Sequence, residues 1–534
     1  MKKLYTLLTV VLFSTQLFSQ TPITATIPYQ GYEETQPLLG QGEYQIFLDN
    51  VDGILDKPVI IIDGFDPGDS RDINALYNAL DYGSGNLADA IRDEGFDIVI
   101  LNAPVYTTNG IDVDGGGDYI QRNAMVLIEL INQMNAQKVG NEELVIIGPS
   151  MGGLIARYAL AYMEANSLPH ETRLYISFDS PHLGANIPVS IQYLFAYLAY
   201  SQGNADAQQA LDESLNSPAA KEMLIDHYSA HLLAGSLFEQ DPALLLPMGA
   251  PGFRDVFQAE LDNLGFPQQT RNVAMINGSD NATMIGSPGI EVMNTTLDLG
   301  SGATADIILH FTPAASQVNN VTDFASFFVG IPIDTYSADA QSFSYTAGVD
   351  AAPGGFSTFS SGLAGSTDPI IIDFINAIQQ DEYCFIPAIS ALAITNENNW
   401  YTAPDLGGVH NSPFVNTYIP SVNEPHTQIT PENAQFAIDE ILNNPLSITE
   451  SNFIPKYTLA KNPVADAVEL QLNSSFLYSD TEVTIFSVSG ERVFTLKPEI
   501  TGNSFTFKHG LNAGIYVLKI NDSETVFTTK LLVK

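Results

Sequence analysis

The sequence predicts an α/β protein: a doubly wound, mostly parallel sheet with a helical cap and a β-rich insertion, followed by a small C-terminal β-sandwich. Three observations carry this. Short apolar runs alternate with helical stretches from about residue 58 to residue 277, the rhythm of a parallel sheet covered on both faces. One run, Leu144-Val145-Ile146-Ile147, leads through Gly148-Pro149-Ser150-Met151-Gly152 into a helical stretch at 153–165. A serine in such a strand–turn–helix is held in a tight turn with its hydroxyl exposed, and its flanking positions admit only glycine. Finally, residues 1–450 hold 12 basic and 53 acidic side chains, whereas residues 451–534 hold eight of each. That shift marks a domain boundary near 450.

A chain of 534 residues exceeds one small core and points to two or three domains. Its net charge of −41 repels nucleic acid and anionic lipid headgroups, so neither is expected as an electrostatic partner. The lone cysteine, Cys384, permits no intramolecular disulfide, and its setting, Tyr383-Cys384-Phe385-Ile386, reads as a buried strand. Outside the N-terminus no apolar run is long enough to span a membrane, so no transmembrane segment is expected in the mature chain.

The elements follow in order. Met1-Lys2-Lys3 and the apolar run behind it read as a secretory signal peptide over residues 1–20, and residues 21–446 as the α/β domain. Residues 22–56 read as an antiparallel entry with one strand at Tyr44-Gln45-Ile46-Phe47-Leu48. Pro58-Val59-Ile60-Ile61-Ile62 is a buried strand running into the turn Asp63-Gly64-Phe65-Asp66-Pro67-Gly68, with a helix expected over 73–94. A strand at 97–101 precedes the acidic, glycine-rich loop 112–118, read as a solvated turn capping a long helix near 118–137. After the serine turn, Arg173-Leu174-Tyr175-Ile176-Ser177-Phe178 is the next strand, and residues 187–262 read as helices forming a cap over an apolar pocket. Asn272-Val273-Ala274-Met275-Ile276 continues the sheet. Residues 285–380, rich in Gly, Ser, Thr, Ala and Phe, read as the β-rich insertion, and the apolar run 385–394 as a strand resuming the sheet. Thr430-Pro431-Glu432-Asn433 then opens a helix, with threonine as N-cap and proline in the first turn. Residues 451–534 read as short strands with a turn at Ser489-Gly490-Glu491.

A serine hydroxyl needs a base to become a useful nucleophile, and histidine has the appropriate pKa. With the nucleophile on such a turn, the base belongs on a loop after the last strand and before the final helix. His426 stands there, and His410 is the runner-up. The acid that orients the imidazole is expected just past the strand that follows the cap. Asp280 is the first choice, followed by Asp405 and Asp179. The two oxyanion donors are expected to be the backbone N–H groups of Met151 and of Phe65. His182 is expected to line the substrate site from below the cap. No metal or organic cofactor enters this chemistry.

These residues carry two resemblances. The turn Gly64-Phe65-Asp66-Pro67, the segment Gly148-Pro149-Ser150-Met151-Gly152-Gly153 and Ser180-Pro181-His182-Leu183-Gly184-Ala185 resemble secreted bacterial α/β-hydrolases of the lipase/esterase kind. The last hexapeptide is similar to a segment shared by lipases and inositol-deacylase-like esterases. The resemblance implies hydrolysis of a small-molecule or lipid ester through a Ser–acid–His triad. Its rivals are amide hydrolysis or acyl transfer on the same residues, or a non-catalytic surface-binding role. Lys461-Asn462-Pro463, Val483-Thr484-Ile485-Phe486, Ala513-Gly514-Ile515-Tyr516-Val517-Leu518 and Lys530-Leu531-Leu532-Val533-Lys534 resemble a C-terminal sorting domain of type IX secretion. That implies a Bacteroidetes-type cell, the type IX machinery as a partner, and export to the surface or medium.

Overall fold

The computed structural model describes residues 20–363, 367–442, 457–472, 481–487, 492–498, 502, 504–521 and 526–534. The expected signal peptide, the junction near 450 and the turn at 489–491 lie outside the described residues. The chain forms two compact units, Met1–Asn444 and Pro445–Lys534.

The first unit is built on an eight-stranded sheet. β1 (Thr21–Thr24) and β2 (Gln41–Phe47) are the antiparallel entry. β3 (Pro58–Ile62) is followed by α1 (Ile73–Asn78), α2 (Leu87–Asp93) and β4 (Asp97–Asn102). The single helix expected over 73–94 is therefore two. Gly83 adopts φ +83°, and the Asn86 side chain caps α2 by accepting from the Ala88 and Asp89 amides. The hairpin β5 (Val105–Thr108) and β6 (Ile111–Asp114) leads to α3 (Ile120–Gln137), β7 (Leu144–Pro149), α4 (Met151–Ala165) and β8 (Thr172–Phe178). Asp118, expected in a solvated turn, is instead buried and paired with Arg122 at 2.8 Å.

The helices α5 (Val189–Tyr200), α6 (Ala205–Ala210), α7 (Pro218–Met223) and α8 (Arg254–Leu264) precede β9 (Arg271–Met275). The β-rich insertion is a four-stranded antiparallel sheet of β10 (Glu291–Gly300), β11 (Ala303–His310), β12 (Val318–Phe328) and β13 (Ile331–Gln341). It packs on α5: the Tyr197 ring stacks on Tyr336 at 4.7 Å, and Thr322 donates to the Ser190 carbonyl. Next come β14 (Gly354–Thr358), α9 (Pro369–Ala377), β15 (Glu382–Pro387), α10 (Ala388–Ala391), β16 (Asn416–Tyr418) and α11 (Pro431–Leu442).

The main sheet runs β1-β2-β4-β3-β7-β8-β9-β16, parallel from β4 to β16. Side chains alternate across it. Val59, Ile61, Ile98, Ile100, Val145 and Ile147 enter one core with α1, α2 and α11, whereas Ile60, Ile62, Val99, Leu101 and Ile146 enter the other with α3 and α4. This is the expected doubly wound fold, with one correction. The run 385–394 does not rejoin the sheet, because β15 ends at Pro387, which has no N–H to donate, and pairs antiparallel with β14. The strand that closes the sheet is β16, only three residues long.

The second unit has seven strands among the described residues, in two antiparallel sheets: β17 (Tyr457–Leu459), β18 (Ala467–Leu472) and β21 (Ser504–Lys508), and β20 (Arg492–Leu496), β19 (Glu482–Ser487), β22 (Gly514–Asn521) and β23 (Val526–Val533). Val468, Leu470, Val483, Ile485, Leu518 and Leu531 form one core between them, the expected β-sandwich.

Candidate active site

Ser150 sits between β7 and α4 with φ 53° and ψ −128°, a conformation that costs about 1–3 kcal/mol for a non-glycine residue. Its neighbours explain the glycines. A Cβ on Gly148 would stand 2.6 Å from the Gly152 carbonyl oxygen, and one on Gly153 would stand 2.7 Å from Ser180 Cβ. The turn closes only because both lack one. The Ser150 amide donates to the Phe178 carbonyl at 2.8 Å, which ties the turn to β8. Met151 opens α4, so its own N–H has no carbonyl within the helix to serve.

His426 lies on the loop between β16 and α11. Its amide donates to Phe356 of β14 at 2.8 Å, and its ring meets Phe385 of β15 edge-on at 4.8 Å. Nε2 is 2.8 Å from Ser150 Oγ, and Nδ1 is 2.7 Å from Asp179 Oδ2. Because a carboxylate only accepts, this geometry puts the imidazole proton on Nδ1 and leaves Nε2 facing the serine hydroxyl.

The carboxylate that meets His426 belongs to Asp179, the residue after β8, and not to Asp280. It turns toward His426 through φ +47°, and its amide is anchored on the Met275 carbonyl at 2.7 Å. Oδ1 accepts from the Asn277 amide at 3.1 Å. The carboxylate is buried and lies against Gly355 of β14, where a Cβ would be only 2.9 Å from Asp179 Cγ. Asp280 is exposed, with its amide on the Pro420 carbonyl. Asp405 and His410 meet each other instead of the serine, with the Asp405 amide donating to His410 Nδ1 at 2.9 Å.

His182 also departs from expectation. It is fully buried, with Nε2 2.8 Å from Ser177 Oγ and its ring against Phe266 and Phe414. Burial holds its pKa well below the ordinary histidine value, so it is a neutral core residue.

The turn after β3 stands beside the serine: a Cβ on Gly64 would be 3.3 Å from Ser150 Cβ. Asp63 Oδ1 accepts from the Gly64 amide at 2.7 Å and from Arg71 Nη2 at 3.0 Å, and Arg71 Nη2 also donates to the Phe65 carbonyl at 3.0 Å. Burial raises Asp63 to about 7 despite the Arg71 charge. Below the turn the Asp66 amide donates to Gly116 at 3.2 Å, and the glycine run 115–117 is what lets the two backbones approach. Nothing in the sequence pattern marked Asp63 or Arg71, whose contacts depend on how this turn folds back.

In front of Ser150 opens a groove of about 160 Å³, walled by Gly64, Phe65 and Arg71 at the mouth and by apolar side chains of β3, β4, β8 and α1. No residue of 187–262 lines it, so the helices expected to roof an apolar pocket do not cover this groove. A larger cavity of about 280 Å³, lined by Phe343, Tyr345, Glu397 and Trp400, includes none of Ser150, Asp179 and His426.

Two family models match parts of the chain. Residues 56–211, which span β3, the serine turn and α4, match the family model described as "Putative serine esterase (DUF676)". Residues 462–534 match the model described as "Secretion system C-terminal sorting domain". The chain thus carries one segment similar to the first model and one similar to the second. Solved structures similar to the chain include the lipase BlEst2 of Bacillus licheniformis in its propeptide form, 11% identical, with a TM-score of 0.34 over 87% of this chain and 72% of that chain. Est1E from Butyrivibrio proteoclasticus is 11% identical, with a TM-score of 0.23 over 44% and 73%. XC6422 from Xanthomonas campestris, described as an α/β serine hydrolase without lid, is 18% identical, with a TM-score of 0.21 over 31% and 62%. No curated protein sequence matches the chain. The strand order and the strand–serine–helix turn identify the first unit as an α/β-hydrolase fold.

Proposed function

We propose that the protein is an exported serine hydrolase that cleaves carboxylic esters, with Ser150 as nucleophile, His426 as base and Asp179 as the acid that orients it. The observation that carries this reading is the unbroken chain from Ser150 Oγ through the imidazole to Asp179, at 2.8 and 2.7 Å. In the reaction, His426 Nε2 takes the serine proton as Oγ attacks the ester carbonyl carbon. The N–H groups of Met151 and Phe65 hold the resulting oxyanion, each worth about 3–4 kcal/mol of transition-state stabilisation. Collapse of the tetrahedral intermediate expels the alcohol, which takes its proton from His426. Water, deprotonated by the same nitrogen, then attacks the acyl-serine and releases the acid. The Asp179 charge, shielded from water, stabilises the imidazolium that forms in both halves. The sorting domain would hand the chain to the type IX machinery for export to the surface or medium.

The test compares p-nitrophenyl butanoate with the matching anilide for wild type and Ser150→Ala. Ester turnover should exceed anilide turnover by at least about 10³, and Ser150→Ala should lose at least about 10³ of it. Comparable anilide turnover would move the reading to amide hydrolysis, and activity retained in Ser150→Ala would end it.

A further inference from the structure

We infer that the groove running from Ser150 toward the first helix is the acyl site, and that it selects short acyl chains of about six carbons or fewer. This rests on the serine-hydrolase reading and specifies its substrate. The groove wall beyond the serine is made by Ile61, Leu76, Leu80, Ile100, Phe178 and Ile429. These are hydrocarbon side chains without a hydrogen-bonding group, so the groove suits an alkyl chain better than a polar alcohol part. Its floor is closed: Ile61, Leu80, Ile100, Phe178 and Ile429 all belong to the buried core on that face of the sheet. The space of about 160 Å³ is close to the cavity of about 150 Å³ that accommodates benzene, a six-carbon ligand.

A longer chain finds no continuation. The helices 187–262 contribute nothing to the groove, and its mouth carries the half-exposed guanidinium of Arg71. Each methylene that the floor accepts should raise kcat/KM by about fourfold, the equivalent of transferring one CH₂ out of water. Carbons beyond the floor should add nothing.

The experiment is a p-nitrophenyl ester series from acetyl to hexadecanoyl, run on the full chain below the micellar limit of each ester. It is repeated on Ala79→Phe and Leu76→Ala, with fluorophosphonate labelling of each protein in parallel. Ala79 lies at the exposed rim of the groove, so its substitution leaves the core untouched. The expected result is a rise of at least tenfold in kcat/KM from acetyl to the butanoyl–hexanoyl optimum, and no gain from octanoyl onward. Ala79→Phe should move the optimum down by about two carbons and Leu76→Ala should move it up. An optimum at octanoyl or longer overturns the inference, as does a variant that scales every chain length by one factor. Either result with labelling intact sinks the acyl site alone, whereas wild type that stays unlabelled removes the hydrolase reading beneath it.

Discussion

Gly355→Ala offers a test of the site through a residue that no reaction step touches. Gly355 backs the Asp179 carboxylate, and a methyl group there would stand 2.9 Å from Asp179 Cγ and nearer still to Oδ2. Non-bonded carbons settle at about 3.5–4.0 Å, so the carboxylate must retreat by about 0.6–1 Å. β14 cannot yield instead, because it is laddered to β15 and the Phe356 carbonyl holds the His426 amide at 2.8 Å. The 2.7 Å contact with Nδ1 would lengthen beyond hydrogen-bond range. Misplacing a catalytic group by about 1 Å costs about 10² in rate, and losing the carboxylate function costs about 10⁴. The expected loss in kcat therefore lies between those values, with KM within about threefold and a stability cost of about 1–3 kcal/mol. Steady-state ester kinetics with a thermal melt would measure it, using Gly407→Ala as control because a methyl there meets nothing within 4 Å. A folded Gly355→Ala enzyme with kcat within threefold of wild type would refute the reasoning.

The two candidate acids separate cleanly. Asp179→Asn should lower kcat by about 10⁴ through the wrong imidazole tautomer, while Asp280→Asn, exposed and away from the histidine, should stay within about twofold in the same assay. Arg71→Ala should loosen the Gly64–Phe65 turn and reduce kcat by about tenfold at nearly constant KM, short of the 10²–10³ lost with a whole oxyanion donor. Burial raises Glu222, which caps α3 through the Ile120 amide, to about 8. Its folded pKa lies above the unfolded one, so the stability it contributes is complete below about pH 4.5 and is lost as pH rises to about 8. Glu222→Gln keeps the acceptor without the charge. Its melting temperature should match wild type near pH 4.5 and exceed it by several degrees at pH 8 and above, by calorimetry.

Much of the framework was legible because it is written in local pattern. The strands β3, β7, β8 and β9 are apolar runs buried on both faces, and the Gly148–Gly153 spacing announces the turn that exposes Ser150. His426 was readable from its place between the last strand and a capped helix. The rest depended on contacts distant in sequence. β16 is the polar triplet Asn416-Thr417-Tyr418, held by backbone pairing to β9, and carries no hydrophobic signature. The run 385–394 looked like a sheet strand, yet Pro387 divides it into the end of a strand paired with β14 and a helical turn. Asp179 reaches His426 because its backbone turns to positive φ and because Gly355, 176 positions later in the chain, leaves room for its carboxylate. The buried His182 illustrates the opposite case, a histidine in a motif-like segment whose surroundings are aromatic rings rather than a ligand.

The most direct test of the central claim is fluorophosphonate labelling of the exported protein, read by intact mass and peptide mapping, with Ser150→Ala beside it. The account predicts one stoichiometric adduct on Ser150 in wild type, a rate of labelling that collapses in His426→Ala, and none in Ser150→Ala. Folded wild-type protein that remains unlabelled, or an adduct that persists in Ser150→Ala, would contradict it.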